Sequence, residues 1–469
     1  MSEDSSSLYA ARIPIFPKRV KGTFRNLKWV VMIVTLGIYY LTPFLRWDRG
    51  PSLPDQAVLI DLAGRRFYFF WIEIWPHEFY FVAGLLIMAG LGLFLFTSAL
   101  GRVWCGYTCP QTVWTDLFIL VERWIEGDRN ARVRLHQAPW SFRKARLRAA
   151  KWVSWMFIGL ATGGAWVFYF ADAPTLATQF MTLSAPPIAW FTVAFLTATT
   201  FVFGGLMREQ VCIYMCPWPR IQGAMMDDAT LTVGYRDWRG EPRGKKRDAT
   251  AGDCVDCNAC VAVCPMGIDI RNGQQMECIT CALCIDACDD VMEKLGRERG
   301  LIDYLALADA PREQAGEKPR PLWQHVLRPR TILYTFVWSA VGLAMVYALF
   351  VRPEIEMTVA PERNPTFVTL SDGSVRNTYE LRLRNKHGEV RTFGLHVDGG
   401  SQLNLAVEGT PYTAIDVPAD ETLRIRVYVT SPPQGRFAQA ETSALRFWVE
   451  DLANGERAYK NSIFNGAGS

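Results

Sequence analysis

Five stretches of this chain are long and apolar enough to cross a bilayer, and that narrows its possible folds more than any other feature. They run roughly from Leu27 to Leu45, Phe79 to Leu100, Trp152 to Ala171, Ile188 to Met207 and Thr331 to Val351. A bilayer core of about 30 Å takes about 20 helical residues, which is the length of these runs. Trp29, Trp47, Trp152, Tyr169 and Trp190 stand near their ends, where amphipathic rings favour headgroup depth. Five buried helices of a soluble protein would leave the basic flanks of these runs unexplained. No small-residue cleavage site follows the first run, so it reads as a retained span and not as a signal peptide.

Basic flanks set the orientation. Lys18, Arg19, Lys21, Arg25 and Lys28 precede the first span and place residues 1–26 in the cytoplasm. The segment between the second and third spans carries Arg129, Arg132, Arg134, Arg143, Lys144, Arg146, Arg148 and Lys151, and falls on the same side. The loop from Asp172 to Pro187 has no Lys or Arg and reads as external. Five crossings then leave the C-terminus outside. Between spans two and three, Val113, Leu117, Leu120, Val121 and Trp124 recur at helical spacing, with acids and Arg123 on the other face. That pattern predicts an amphipathic helix at the cytoplasmic interface.

All twelve cysteines lie between Cys105 and Cys288, on the side assigned to the reducing cytoplasm. Their CxxC and CxxxC spacings point to metal ligation and away from a disulfide framework. Cys254-x2-Cys257-x2-Cys260-x3-Cys264-Pro265 is followed by Cys278-x2-Cys281-x2-Cys284-x3-Cys288. This is the spacing of a two-cluster bacterial ferredoxin, in which the fourth cysteine of each run ligates the other cluster. The expected sets are Cys254, Cys257, Cys260 and Cys288 for one [4Fe–4S] cluster, and Cys278, Cys281, Cys284 and Cys264 for the second. Zinc sites more often mix in His, and no His lies between Cys254 and Cys288. Asp289 stands where a proline often follows the second run, which leaves the local turn open.

A second pattern is a duplication. Cys105-Gly106-Tyr107-Thr108-Cys109-Pro110 closes the second span, and Cys212-Ile213-Tyr214-Met215-Cys216-Pro217 closes the fourth. Each follows a hairpin of two spans, which predicts a repeated two-helix unit with its cysteine pairs meeting at the cytoplasmic edge. Cysteines four apart share a helix face, although a following proline disfavours helix at the second of each pair. Soft thiolate sulfur prefers Cu(I), so such a site favours reduction of Cu(II). Two matched pairs point to a redox or metal role for Cys105, Cys109, Cys212 and Cys216, and Met207, Met215, Met225 and Met226 lie close enough in sequence to add thioethers. No pair of His sits in facing spans for a haem, and no phosphate-binding glycine loop occurs. A net charge of +4 is too small to suggest nucleic acid.

From about Glu356 the pattern turns to short alternating runs: 379–383, 423–429 and 445–449, punctuated by Gly, Pro, Asn and Asp. About 100 residues of this kind predict a β-sandwich. The fold class is thus a five-span α-helical membrane protein with an α+β ferredoxin-like insert and an all-β, immunoglobulin-like C-terminal domain. Its parts are residues 1–26, a four-span region over 27–219, a cytoplasmic two-cluster domain over 220–325, a fifth span over 331–351, and an external domain over 356–469.

In the order of these parts the chain resembles the CcoG/FixG family, also called RdxA, of cytochrome oxidase accessory proteins. The resemblance implies a bacterial inner-membrane protein, with its last domain in the periplasm, that acts as a cupric reductase for assembly of cbb-type cytochrome c oxidase. It implies that Cys254, Cys257, Cys260, Cys264, Cys278, Cys281, Cys284 and Cys288 hold the electron relay. Cys105, Cys109, Cys212 and Cys216 would bind copper or pass it the electron. Implied partners are membrane lipid, a cytoplasmic electron donor, and a copper exporter, chaperone or other oxidase-assembly factor; a homodimer stays open. Two other functions fit the same residues. One is a general conduit between the quinone pool or a ferredoxin and a redox partner. The other is an oxidase-assembly scaffold whose clusters sense redox state.

Overall fold

The computed structural model of the chain describes residues 14–50, 53–244, 251–352, 355–399, 402–419 and 421–468. The chain forms two compact units, one of Met1–Leu45 with Gln56–Met345 and the other of Arg46–Asp55 with Val346–Ser469. Among the described residues, four helices are long and apolar enough to cross a membrane: Thr23–Phe44, Tyr80–Leu100, Pro187–Met207 and Pro329–Val351.

In the first unit the helices are α1 (Thr23–Leu41), α2 (Tyr80–Leu100), α3 (Val103–Tyr107), α4 (Pro110–Glu126), α5 (Arg129–Gln137), α6 (Phe142–Ala165), α7 (Ala173–Met181), α8 (Pro187–Thr200) and α9 (Trp218–Met225). A meander of β1 (Val58–Asp61), β2 (Arg66–Phe69) and β3 (Ile72–Ile74) fills the connection between α1 and α2. The third expected span differs from the other four. It lies in α6, whose first ten residues carry Arg143, Lys144, Arg146, Arg148 and Lys151, and whose α-helix gives way to a 3₁₀ turn at Trp166–Tyr169. The apolar α-helical part, 152–165, is only about 21 Å long at 1.5 Å per residue. It nevertheless packs closely on α8. A Cβ on Gly163 would lie 2.4 Å from the Leu196 carbonyl oxygen, so glycine is what lets the two backbones meet. Gly159, one turn earlier, faces Thr197 in the same way, a small-xxx-small contact of the kind membrane helices use.

The amphipathic helix forms as α4, and its inward face carries acids beside Val113, Phe118 and Ile119. Asp116, Glu122 and Glu126 are buried while Trp124 is exposed. Buried acids need cations, and these come from other elements. Asp116 meets Arg25 at 3.2 Å and Lys28 at 3.0 Å from α1. Glu122 accepts from Arg132 and Arg208, and Glu126 meets Lys151 at 2.9 Å.

The cysteine-rich insert lies between two strands that pair antiparallel, β4 (Thr232–Tyr235) and β5 (Ile302–Leu305). Its helices are Ala259–Val263 after the first cysteine loop and Leu283–Leu295 after the second. The difference in length follows from one residue. Pro265 leaves Cys264 extended (φ −66, ψ 122), whereas Asp289 lets the second helix run straight through Cys288.

The second unit is a sandwich of two antiparallel sheets. Its strands are β6 (Ile355–Pro361), β7 (Val368–Thr369), β8 (Val375–Asn385), β9 (Arg391–Asp398), β10 (Asn404–Val407), β11 (Ala414–Val417), β12 (Thr422–Ser431), β13 (Thr442–Asp451) and β14 (Arg457–Asn465). One sheet has the order β10-β12-β8-β6, with β7 on β8, and the other β11-β9-β13-β14. Alternation puts Tyr379, Leu381 and Leu383 of β8 and Leu445, Phe447 and Val449 of β13 into one apolar core. Tyr379 also donates to the Ile463 carbonyl at 2.8 Å, which satisfies its buried hydroxyl.

Candidate metal centre

The two CxxCxxC loops share one backbone conformation. Asp256 and Asn258 in the first, and Thr280 and Ala282 in the second, take φ of 51, 55, 56 and 59. They stand two and four residues after the leading cysteine, and none is glycine. A left-handed L-residue costs roughly 1–2 kcal/mol, so four of them at matching positions mark loops whose shape is imposed by what they enclose.

Each loop walls a cavity. One is lined by Cys254, Cys257, Cys260 and Cys288. The other is lined by Cys264, Cys278, Cys281 and Cys284, and also by Cys260. The fourth cysteine of each run thus sits with the first three of the other run. Apolar side chains complete both walls, among them Ile270, Leu283, Leu301 and Ile302. Burial pushes the Cys260 and Cys278 thiols up to about 11 and those of Cys264 and Cys288 up to about 12. Left to themselves these sulfurs stay protonated; only a strongly positive centre makes thiolates of them. The Thr280 N–H is already turned toward Cys278 Sγ, at 3.5 Å. The donor set fits iron–sulfur cubanes.

The insert is fastened to the membrane part through its own cysteine run. Asp286, between Cys284 and Cys288, accepts from the backbone N–H of Phe24 at 3.2 Å and of Arg25 at 2.7 Å, at the start of α1. A carboxylate there satisfies orphan donors and complements the helix dipole.

The two CxYxCP motifs are built alike. The span before each ends in a positive-φ residue, Gly101 (φ 61) and Arg208 (φ 41). Cys109 N–H bonds the Trp104 carbonyl at 3.0 Å, and Cys216 N–H bonds the Val211 carbonyl at 2.8 Å, the same five-residue closure. The prolines hold Cys109 and Cys216 extended, with ψ of 127 and 120. The cysteines of a pair therefore do not share a helix face as spacing alone suggests; proline's clash with the preceding residue decides this. Burial raises the Cys105 and Cys212 thiols to about 12, and each of these two also feels Cys109, Cys216 or both. Cys105 and Cys212 pack against one apolar cluster, and Cys109 and Cys216 act electrostatically on both.

That group rests on the insert. Gly106 meets the second cysteine loop so closely that a Cβ would lie 2.7 Å from the Ile279 carbonyl oxygen and 3.0 Å from Cys281 Cα. Tyr107 donates to the Cys281 carbonyl at 3.2 Å. Arg102 donates to the carbonyls of Met276 and, at 2.9 Å, Cys278. Cys105 and Cys212 pack against the apolar cluster that holds Cys281, Met266 and Ile279. Cys105 Sγ lies 3.2 Å from the Oε1 of the fully buried Gln222.

Arg102, Gln222, Asp286 and the buried acids of α4 were not singled out in the sequence. Asp286 was detectable only as an acid inside a cysteine run, and Glu122 and Glu126 as acids one helical turn apart. Their partners come from distant segments, which no local pattern encodes.

Three sequence profiles match the chain: a 4Fe-4S dicluster domain over residues 207–306, a 4Fe-4S binding domain over 81–128, and the IG-like fold at the C-terminus of FixG over 345–467. The protein RdxB of Cereibacter sphaeroides is 64% identical over 470 residues, covering 99% of this chain and 98% of its own. RdxA of the same organism is 61% identical, covering 99% and 100%. The nitrogen fixation protein FixG of Rhizobium meliloti is 56% identical, covering 98% and 94%. A crystal structure of a FixG-related protein from Vibrio parahaemolyticus has 22% identity and a TM-score of 0.22, covering 25% of this chain and 99% of that one.

Proposed function

This chain belongs to the CcoG/FixG/RdxA family of membrane iron–sulfur electron-transfer proteins, and we propose that the electron it carries is delivered to Cu(II) at the membrane edge. Cys254, Cys257, Cys260 and Cys288 would hold one cubane and Cys264, Cys278, Cys281 and Cys284 the other. Bound there, these groups supply one-electron transfer at low potential. The chain itself excludes water with apolar walls and aims backbone N–H groups at sulfur. The observation that carries the reading is the seating of Gly106 and Tyr107 on the Cys281 loop. Cys105 and Cys212 pack in the same apolar cluster as Cys264 and Cys281, which supports an exit for the electron from the relay at the thiol pairs.

Each Cu(II) takes one electron and becomes Cu(I), and a reduced soluble one-electron carrier in the cytoplasm supplies it. The thiol group is the point of delivery. The Cu(I) passes to an exporter or chaperone that serves assembly of a cbb-type oxidase. In this arrangement α6 is the third of five spans, held against α8 by Gly159 and Gly163. The N-terminus and the insert face the cytoplasm of a bacterial inner membrane, and the sandwich faces the periplasm.

The test uses anaerobically reduced protein freed of excess reductant, mixed with Cu(II) and a Cu(I)-specific chelator. Cu(I) should form in proportion to the electrons stored. Unchanged chelator absorbance with the clusters intact would sink the copper reading.

One observation favours a second reading, a conduit fed by the quinone pool. An apolar cleft of about 570 Å³ between α1, α4, α6 and α8 has Tyr39, Trp114 and Trp166 in its walls. Thr108 and Pro110, on either side of Cys109, form part of it. Its size and aromatic lining suit a quinone ring. Cys105→Ser with Cys212→Ser separates the two: loss of copper reduction with quinol oxidation kept supports the first reading, and loss of quinol oxidation supports the second.

A further inference from the structure

We infer that Cys105, Cys109, Cys212 and Cys216 together hold a third [4Fe–4S] cluster, two ligands from each copy of the duplicated motif. The inference rests on the electron-transfer reading above and names what occupies the delivery point. It makes these thiols pass copper the electron instead of binding the ion themselves.

Four observations carry it. First, the thiols number four and come from two segments of matching backbone, so the site is a 2+2 set with the ligand count a cubane needs. Second, the residue next to Cys105 is seated on the second cysteine loop: a Cβ on Gly106 would lie 2.7 Å from the Ile279 carbonyl oxygen, so the thiol site adjoins the second ferredoxin set, where a further relay centre would stand. Third, the profile over residues 81–128 is that of a 4Fe-4S binding domain, yet that stretch contains only Cys105 and Cys109. The structure supplies the missing pair from the second motif. Fourth, the surroundings are those of a cluster. Cys105 and Cys212 lie in the same apolar cluster as Cys264 and Cys281, and the Arg102 guanidinium sits among Cys105, Cys212 and Cys278, where it offsets negative charge on both sides.

Local structure favours iron over a dynamic dithiol as well. All twelve cysteines are free. Pro110 and Pro217 fix the backbone at the second cysteine of each pair. A fixed backbone suits a rigid inorganic core better than a copper ion that must be taken up and released.

The experiment is an iron and acid-labile sulfide count on the full-length protein purified anaerobically in detergent, with low-temperature EPR of the reduced form. About twelve irons and twelve sulfides per chain are expected, four per cubane. Cys105→Ser with Cys212→Ser should bring both down by a third and leave the two ferredoxin-type signals in place. Eight irons in wild-type protein with both ferredoxin signals fully developed would overturn the third cluster, as would ten, which indicates a two-iron centre. The count on wild-type protein decides even if the double variant does not fold. A twelve-iron protein that leaves Cu(II) unreduced would remove the copper reading and keep the cluster. An eight-iron protein that forms Cu(I) would do the reverse.

Discussion

The cysteine insert and the C-terminal sandwich are both small, but they are held together by opposite means. In the sandwich, Tyr379, Leu381, Leu383, Phe393, Val427, Val429, Phe447, Val449 and Phe464 are fully buried, and the strands that carry them alternate inside and out. Apolar surface alone can drive that fold. In the insert, the two apolar clusters are interleaved with the cysteines themselves: Cys254, Cys260 and Cys288 in one, Cys281 in the other. Without metal, the middle of each cluster is a cavity ringed by thiols and by two strained left-handed residues. The lesson is that one region stores its stability in carbon and the other in metal–sulfur bonds.

The largest expected effect follows directly. Stripping iron with a chelator under anaerobic conditions should abolish hydrogen-exchange protection over residues 251–306 and leave that of the sandwich strands unchanged. Persistent protection of the insert without iron would break the contrast.

A core truncation should show the reverse. Phe447→Ala is expected to cost the sandwich about 3–5 kcal/mol, read as a lower thermal transition with iron content unchanged. Concurrent iron loss would mean that the two regions are not energetically separate.

A smaller effect tests how the insert is anchored. Asp286→Ala leaves the Phe24 and Arg25 amides without their acceptor and should cost about 1–2 kcal/mol, seen as faster exchange at the start of α1. Retained iron alongside that faster exchange would locate the role of Asp286 in anchoring; lost iron would make it part of the cluster's support.

The smallest effect concerns acid. Burial by itself raises the Asp116 carboxyl, but Lys28 and Arg25 outweigh this and hold it below the usual carboxylate range. A depressed folded value means that the stabilisation is fully present above the unfolded pKa of about 4 and fades as pH falls through the lower folded value. The stability gap between wild type and Asp116→Asn should therefore be constant above about pH 4 and close below it. A gap that persists at lower pH would show that Asp116 acts through something other than its charge.

Much of the architecture could be read from the chain, for definable reasons. Bilayer thickness turns composition into spans, so four apolar runs became four long helices, with ends within a few residues of those expected. Pleat alternation turned three short runs into β8, β12 and β13. Cubane geometry fixes CxxCxxC so narrowly that the spacing names the chemistry, and the duplicated CxYxCP motif could be seen by inspection. The run in α6 was harder, because its basic first ten residues and the 3₁₀ turn at Trp166 leave a short apolar α-helix.

The sequence by itself determined the kinds of parts: apolar helices, cysteine loops, alternating strands and the repeat. Each is set by contacts between near neighbours or by the solvent a segment can enter. The tertiary structure alone decided what faces what. It turned the acids of α4 inward to Arg25, Lys28, Lys151, Arg132 and Arg208, fastened the insert to α1 through Asp286, and seated Gly106 on the Cys281 loop. Such pairings join residues tens to hundreds of positions apart. Their free energy exists only once the chain has closed on itself, so no local pattern can announce them.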